Sequence, residues 1–415
     1  MTIQTEVLVI GGGATGVGIA RDLAMRGVDV VVAERGGLAS GTSGRSHGLL
    51  HSGARYAPDD ELGAEECIRE NEILRDIAGH CVRDTGGFFV QLPEDDPEFF
   101  EEKLAACERI GIDAEVLDTE TAQAEVPGLA PDAERVMKVP DGVIYPSRLV
   151  AANAKSAADH GAEILVHAPV TDVHVEDGQA TGATLGGDVD DTVEAEYVVN
   201  AAGTWAGQCA DLAGVEVAMR PTKGVMVSVD YPGLGPVLNR CRPPADGDIV
   251  VPHETQAVLG TTSIEVDDPD EFDEEHWEIQ KMVEECAKML PDAATSEILR
   301  TWWGVRPLYA PDEAERETMD GGEGDARGIS RGFFLLDHER EGVENFASIV
   351  GGKLTTYRMM AEATTDHVCE ALDVDEPCRT AEERLPGVDD EREVDSFVTE
   401  YDARSPTDED VLTAD

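Results

Sequence analysis

Residues 6–18 read EVLVIGGGATGVG, and they decide how the fold begins. EVLVI is a buried-strand run, and Gly11, Gly13 and Gly16 complete a G-x-G-x-x-G signature at its end. From Ala14 to Arg26 the apolar positions Val17, Ala20, Leu23 and Ala24 recur at helical spacing, so the stretch predicts strand, tight turn, helix. A second strand is predicted over Val28–Ala33, closed by Glu34, which sits about 20 residues beyond the glycines, where a dinucleotide fold places an acid. Glycines let backbone approach a pyrophosphate at a helix N-terminus, and the acid accepts hydrogen bonds from ribose hydroxyls. A glycine signature alone is weak evidence; with strand, helix, strand and acid in register it predicts dinucleotide binding.

Two features further along favour FAD over NAD. Ile164–Val175 and Gln179–Leu185 read as paired strands around Glu176-Asp177-Gly178, and the chain returns through Glu196–Asn200 into Ala201-Ala202-Gly203. A meander inserted before a small-residue return strand is how two-dinucleotide flavoprotein folds extend the nucleotide unit. Near the end, Ile349–Thr356 (IVGGKLTT) has the form strand, double glycine, helix start, and a helix N-terminus stabilises the electron-rich edge of a reduced flavin.

The 415 residues are enough for two or three structural units. Asp and Glu total 87 against 32 Lys and Arg, a formal charge of −55 spread along the whole chain, and only seven of the bases are lysine. Charge of this size repels itself at low ionic strength, whereas molar salt shortens the screening length to about 3 Å. The composition therefore reads as a solvated surface suited to a salt-rich cytoplasm, a halophilic character. An acidic disordered chain is excluded by 41% hydrophobic residues falling in periodic blocks. Nucleic acid is excluded because there is no basic stripe to replace counterions. The eight cysteines are scattered without a C-x-x-C, as free thiols in a reducing compartment would be; Cys369 and Cys378 lack a nearby Cys or His pair, so no metal site is expected. No signal peptide and no membrane-spanning apolar run is read.

Ordered segments extend this picture. GGGATGVGIARDLAMRG (11–27), ERGGLASGTSGRSHGLLHSGARY (34–56), VVNAAGTWAG (198–207), LGTTS (259–263), WGVRPL (303–308), ISRGFFLLDHE (329–339) and GGKLTTYRMMAE (351–362) resemble, in the same order, the FAD-dependent glycerol-3-phosphate dehydrogenases. The resemblance is strongest to the A-type catalytic chain of the anaerobic, multi-subunit enzymes. It implies an α/β fold: a Rossmann-like FAD-binding domain of the two-dinucleotide-binding flavoprotein type, capped by a mostly antiparallel substrate-binding domain. Residues 1–85, 140–215 and 325–375 are expected to build the FAD domain, and 86–139 and 216–324 the cap, with an amphipathic helix near His276–Leu290. Asp267–Glu275 and Gly321–Arg327 read as solvated loops, and 376–415 as an acidic C-terminal tail or linker, with a frayed terminal helix as the other reading after Pro386.

The resemblance also implies the chemistry: oxidation of the C2 alcohol of sn-glycerol 3-phosphate to dihydroxyacetone phosphate, with non-covalent FAD as acceptor and electrons passing on toward quinone. B- and C-type electron-transfer and membrane-anchor subunits are the implied partners, placing a cytoplasmic chain peripherally at the inner face of the cell membrane. The anaerobic family continues into a C-terminal region with clustered cysteines, a feature this sequence does not contain.

A phosphate dianion needs fixed cations, and arginine offers bidentate forks. Four basic residues stand in small-residue or aromatic contexts: Arg55, Arg306, Arg331 and Lys353. By resemblance each belongs to the substrate pocket, with Tyr56, Thr261 and Thr262 lining it; the structural alternative makes the cations buried partners for acids. Arg55, Arg306 and Lys353 are expected to act catalytically. Single-chain relatives carry a histidine on the strand entering the cap, but here the segment reads Lys223-Gly224-Val225-Met226, and methionine is no base. His51 is the remaining candidate, as an auxiliary proton acceptor. His253 reads as a surface residue. The cofactor is expected against Gly11, Gly13, Ala14, Thr15 and Gly16; against Glu34, Arg35, Thr42, Ser43, Ser46, His47 and Gly48; and against Val170, Ala201, Ala202, Gly203 and Trp205. Gly351, Gly352, Lys353, Leu354 and Thr355 complete the set. In HGLLHSGARY, Gly48, Ser52 and Gly53 are expected to let backbone pass close to the flavin ring. Two other readings share the early motifs: an FAD-dependent amine or D-amino-acid oxidoreductase, and a non-catalytic flavin-binding subunit of a membrane complex.

Overall fold

In the computed structural model, which describes residues 2–310 and 332–412, β1 (Thr2–Ile10) runs through the middle of an eight-stranded sheet. Val7, Leu8 and Val9 are fully buried, as expected for a strand covered by helices on both faces. α1 (Ala14–Met25) follows, and the chain returns in β2 (Val30–Ala33), parallel to β1. On its other side β1 pairs in parallel with Thr192–Asn200, register Val9 to Val199. The free edge of that strand is shared: Gln179–Leu185 pairs antiparallel with its first half and Phe346–Gly351 parallel with its second. Residues far apart in sequence are thereby brought to one end of one sheet.

The expected strand Ile164–Val175 is in fact two. Glu163–Leu165 pairs in parallel with β2, and Val170–Glu176 forms the hairpin with Gln179–Leu185. The break falls where His167 adopts φ +53°, ahead of Pro169. The turn Asp177-Gly178 takes φ +52° and +84°, the left-handed pair that a two-residue hairpin requires.

A second, nine-stranded sheet draws Gly87–Gln91, Glu115–Leu117 and Arg135–Val139 from one segment and Thr222–Asp230 through Ile298–Arg306 from another. All its pairings are antiparallel except Val237–Arg240 against Gly87–Gln91. The long strand Thr222–Asp230 meets Gln256–Gly260 on one edge and Ile298–Arg306 on the other. The helix expected to reach Leu290 ends at Cys286, because the chain turns into a short 3-10 segment at Pro291.

The clearest correction concerns the C-terminal region read as an acidic tail, linker or frayed helix, which is instead packed into the core. Helix Glu391–Glu400 buries Val394, Phe397 and Val398 in the core that also holds Leu74 and Leu149. The Arg148 guanidinium bonds Asp395 at 2.7 and 3.1 Å with both side chains buried. Asp408, also buried, accepts from the Ser147 amide and hydroxyl. Three or four apolar residues on one helix face suffice to dock an otherwise acidic segment, which average composition conceals. His253, too, is buried rather than on the surface, with Nδ1 3.4 Å from Asp410 Oδ1.

Candidate active site

The first turn of the fold, the loop Ser40–Ser46 and the return strands enclose a cavity of about 500 Å3, within the range of cofactor pockets. Two glycines make the turn possible. Gly11 holds φ +113°, and a Cβ there would lie 2.5 Å from the Ala201 carbonyl oxygen; a Cβ on Gly16 would lie 1.9 Å from Gly11 O. Gly13 caps α1 without a side chain, so the helix presents first-turn N–H groups to an anion. Glu34 is held by Gly12 N–H at 2.7 Å and Gly36 N–H at 2.8 Å, one on each carboxylate oxygen, leaving lone pairs on both for ribose hydroxyls. At the other side of the cavity Gly351 and Gly352 take φ +81° and +73° before the turn Leu354–Thr356. This is a cradle fitted to an adenine dinucleotide.

Gly11, Gly13, Ala14, Thr15, Glu34 and Arg35 line the cavity, as do Thr42, Ser43, Ser46 and Val170. Ala201, Ala202, Gly203 and Trp205 line it from the return strand, and Gly351, Gly352, Lys353 and Leu354 from the last one. Four expected residues do not. Gly16 is packed beneath Gly11, where it shapes the turn. His47 accepts from Leu49 N–H and Gly48 accepts from Ile144 N–H, so both serve the adjoining backbone. Thr355 is buried and accepts from His51 N–H at 3.0 Å. Sequence reasoning missed Ser40, Gly41, Pro169, Gln208, Tyr357 and Met360, all on the wall. Nearness to the glycine, return-strand and double-glycine motifs was the available signal for most of them; for Gln208, on a helix after the return strand, there was none.

The substrate candidates fall into distinct groups. Lys353 places its Nζ 4.6 Å from the Tyr56 ring centre, and Tyr56 Oη lies 3.4 Å from His51 Nε2. Separately, Arg306 donates to Thr262 O at 3.0 Å and Thr261 Oγ1 at 3.3 Å, next to Pro307 on the cavity wall. Thr42, on the cofactor loop, donates to Val305 O at 2.6 Å and ties that loop to the strand ending in Arg306. Thr262 is fixed from below by Glu278, which also binds the buried ammonium of Lys223 at 2.6 Å. Arg331 lies outside the described residues.

Arg55 stands beside a buried acid, as the structural alternative had it. Its Nη2 lies 3.6 Å from Asp248 Oδ2, and Asp248 also binds Arg242 at 2.8 Å. Burial pushes the Asp248 carboxyl up, and the two guanidiniums oppose that rise. The backbone of this loop is gripped on several sides: Ser52 N–H donates to buried Asp141 at 2.7 Å, and Lys103 Nζ donates to Ala54 O at 2.8 Å and Arg55 O at 3.3 Å. Gly53, at φ +92°, makes room for helix α2 (Glu61–Ile77), since a Cβ there would meet Ala64 O at 2.3 Å. Gly53 and Ser52 therefore seat the loop on α2 and on Asp141.

All eight cysteines are free, and the one on the cavity wall, Cys209, is pushed up to about 12 by burial, so it stays a thiol. Among the described residues no group of acids, histidines or cysteines is arranged to hold a metal, and no helix is long and apolar enough to cross a membrane.

Comparison with known proteins agrees with the cradle. Residues 6–366 match the family described as FAD dependent oxidoreductase. The chain is 52% identical to the A1 chain of the anaerobic glycerol-3-phosphate dehydrogenase of Haloferax volcanii, over 98% of this chain and 70% of that one. It is 44% identical to the A-type chain of the Escherichia coli K12 anaerobic glycerol-3-phosphate dehydrogenase, over 94% of this chain and 72% of that one. Among solved structures, the glycerol-3-phosphate dehydrogenase of Bacillus halodurans complexed with FAD superposes with a TM-score of 0.68 at 25% identity, covering 92% of this chain and 68% of that one. With the glycine turn, the ribose acid and the double-glycine strand end enclosing one cavity, the chain belongs to the FAD dependent oxidoreductase family, among the relatives of the A-type chains of anaerobic glycerol-3-phosphate dehydrogenase.

Proposed function

We propose that this chain oxidises sn-glycerol 3-phosphate to dihydroxyacetone phosphate, using FAD held non-covalently in the cradle. The observation that carries the reading is the joining of that cavity, through Lys353 and through Thr42 and Val305, to two cationic groups: Lys353 with Tyr56 and His51, and Arg306 with Thr261 and Thr262. The names of the relatives supply the substrate class.

When bound, FAD accepts the two electrons and the hydrogen removed from C2. The protein's own part is electrostatic and positional. Arg306 offers a guanidinium fork to the phosphate or to the oxygen on which negative charge develops, and Lys353 offers a compact charge beside the double-glycine turn. His51 takes the hydroxyl proton, with its ring aligned by Tyr56 Oη and its backbone pinned by Thr355. Arg331 belongs to the same pocket by family resemblance. Arg55, gripped by Asp248, acts from the pocket's rim, holding the cap against the loop that carries Tyr56 and His51.

Electrons leave toward quinone through B- and C-type partner subunits, which hold this cytoplasmic chain at the inner face of the membrane; the lettered designations of the relatives support that assembly. The test is anaerobic reduction of the purified protein in high salt. Bleaching near about 450 nm, where oxidised flavin absorbs, by glycerol 3-phosphate and not by D-amino acids is the expected result. Bleaching by amino acids alone would make it an amine oxidoreductase, and bound flavin that neither reduces would make it a non-catalytic subunit.

A further inference from the structure

The loop Asp267–Glu275, expected to be merely solvated, reaches across from the cap and closes on the cavity rim. Asp270 accepts two hydrogen bonds from Arg35, from Nη2 at 2.8 Å and Nη1 at 3.2 Å. The same carboxylate accepts from Trp205 Nε1 at 2.9 Å. Arg35 in turn stacks on the indole, its Cζ 3.9 Å from the ring centre. Arg35 and Trp205 both line the cavity, and Arg35 directly follows Glu34, the ribose acid. Gly41 completes the contact, since a Cβ there would lie 2.9 Å from the Trp205 ring.

From this three-membered clasp we infer that Asp270 is a positioning residue for the adenosine half of FAD, locking Arg35 and Trp205 over the ribose end and slowing cofactor release. The inference rests on the FAD reading above. A carboxylate is the residue required here: it alone can accept a bidentate guanidinium fork and an indole N–H together. Arg35 and Trp205 both hold the Asp270 carboxyl below the usual carboxylate range, so it stays charged. Arg35 and Asp270 are each nearly half exposed, so the clasp is a modest one, easily opened for loading, and its contribution is kinetic fine control, not the bulk of the binding energy.

The experiment compares FAD release from the wild-type holoprotein, Asp270→Asn and Trp205→Phe, followed by the rise in flavin fluorescence on dilution. Asp270→Asn removes the charge while keeping the shape; Trp205→Phe keeps a ring for stacking but deletes the N–H donor. Asp270→Asn is expected to release FAD about fivefold faster, the scale of one well-formed exposed ionic contact, with a smaller acceleration in Trp205→Phe. Melting of holo and apo forms separates a cofactor clasp from a structural tie. If the contact is a cofactor clasp, both substitutions lower the melting temperature of the holo form only, because affinity for FAD contributes only when FAD is present. Unchanged release rates in both variants, or equal melting losses with and without FAD, would overturn the inference. A wild-type protein that binds no FAD would instead overturn the reading on which it rests.

Discussion

The cofactor cradle and the substrate side are built from different materials. The cradle is mostly backbone: glycines at positive φ, a helix N-terminus and one acid whose oxygens are fixed by amides. The proposed substrate side is mostly side chains whose orientation depends on the residues behind them, Arg306 on Thr262 and Thr262 on Glu278, His51 on Thr355 and Tyr56. A site made of backbone is specified by a few residues close in sequence. One made of side chains is specified by partners scattered over the chain.

That contrast can be broken most sharply at Gly16. A valine there would drive its Cβ into the Gly11 carbonyl, so Gly16→Val is expected to lose flavin altogether, read as the ratio of FAD to protein after purification. On the other side, Arg306→Ala should keep full flavin while kcat/KM for glycerol 3-phosphate falls about a thousandfold, roughly 4 kcal/mol of lost ionic recognition. Loss of FAD in that variant would mean the two regions are not separable.

The smallest effect lies at the seam between them. Lys103, on the helix Pro97–Ile110, is buried against Phe89 and Phe99 and bonds the carbonyls of Ala54 and Arg55, just before Tyr56. Burial lowers its ammonium from 10.5 to about 8. The native state therefore sheds this proton before the unfolded chain does. Below about pH 8 the buried charge costs stability, and between about pH 8 and 10.5 that cost is relieved as pH rises. Measured by denaturant unfolding, the stability of wild type relative to Lys103→Met should climb across this window by up to about 3 kcal/mol. A flat difference would show that Lys103 titrates normally.

Legibility followed the same division. The strand, glycine turn, helix and acid of residues 6–34 could be read directly, because each feature is local and periodic; so could the hairpin turn at Asp177-Gly178. Gly16, His47, Gly48 and Thr355 stand in the motifs but off the cavity wall, since a motif marks a neighbourhood and not which atoms face the cavity. For Arg55 the sequence offered a pocket role or a buried acid as partner, and SGARY alone could not name that acid, because Asp248 lies almost 200 residues further along the chain. The segment 376–412 was misread for an energetic reason: Arg148 with Asp395 and Ser147 with Asp408 are buried pairs whose members look, one by one, like solvated charge.

Thr407 gives that last segment a meaning in time. Its hydroxyl bridges the carbonyls of Gly44 and Ser46, at 2.8 and 2.6 Å, inside the loop that lines the cavity. On the ribosome the glycine turn emerges long before its wall at Lys353 and Met360, and that wall before its brace at Thr407. The cavity is thus completed from three widely separated stretches of the chain, and a chain ending before Thr407 is made without the brace on Gly44 and Ser46.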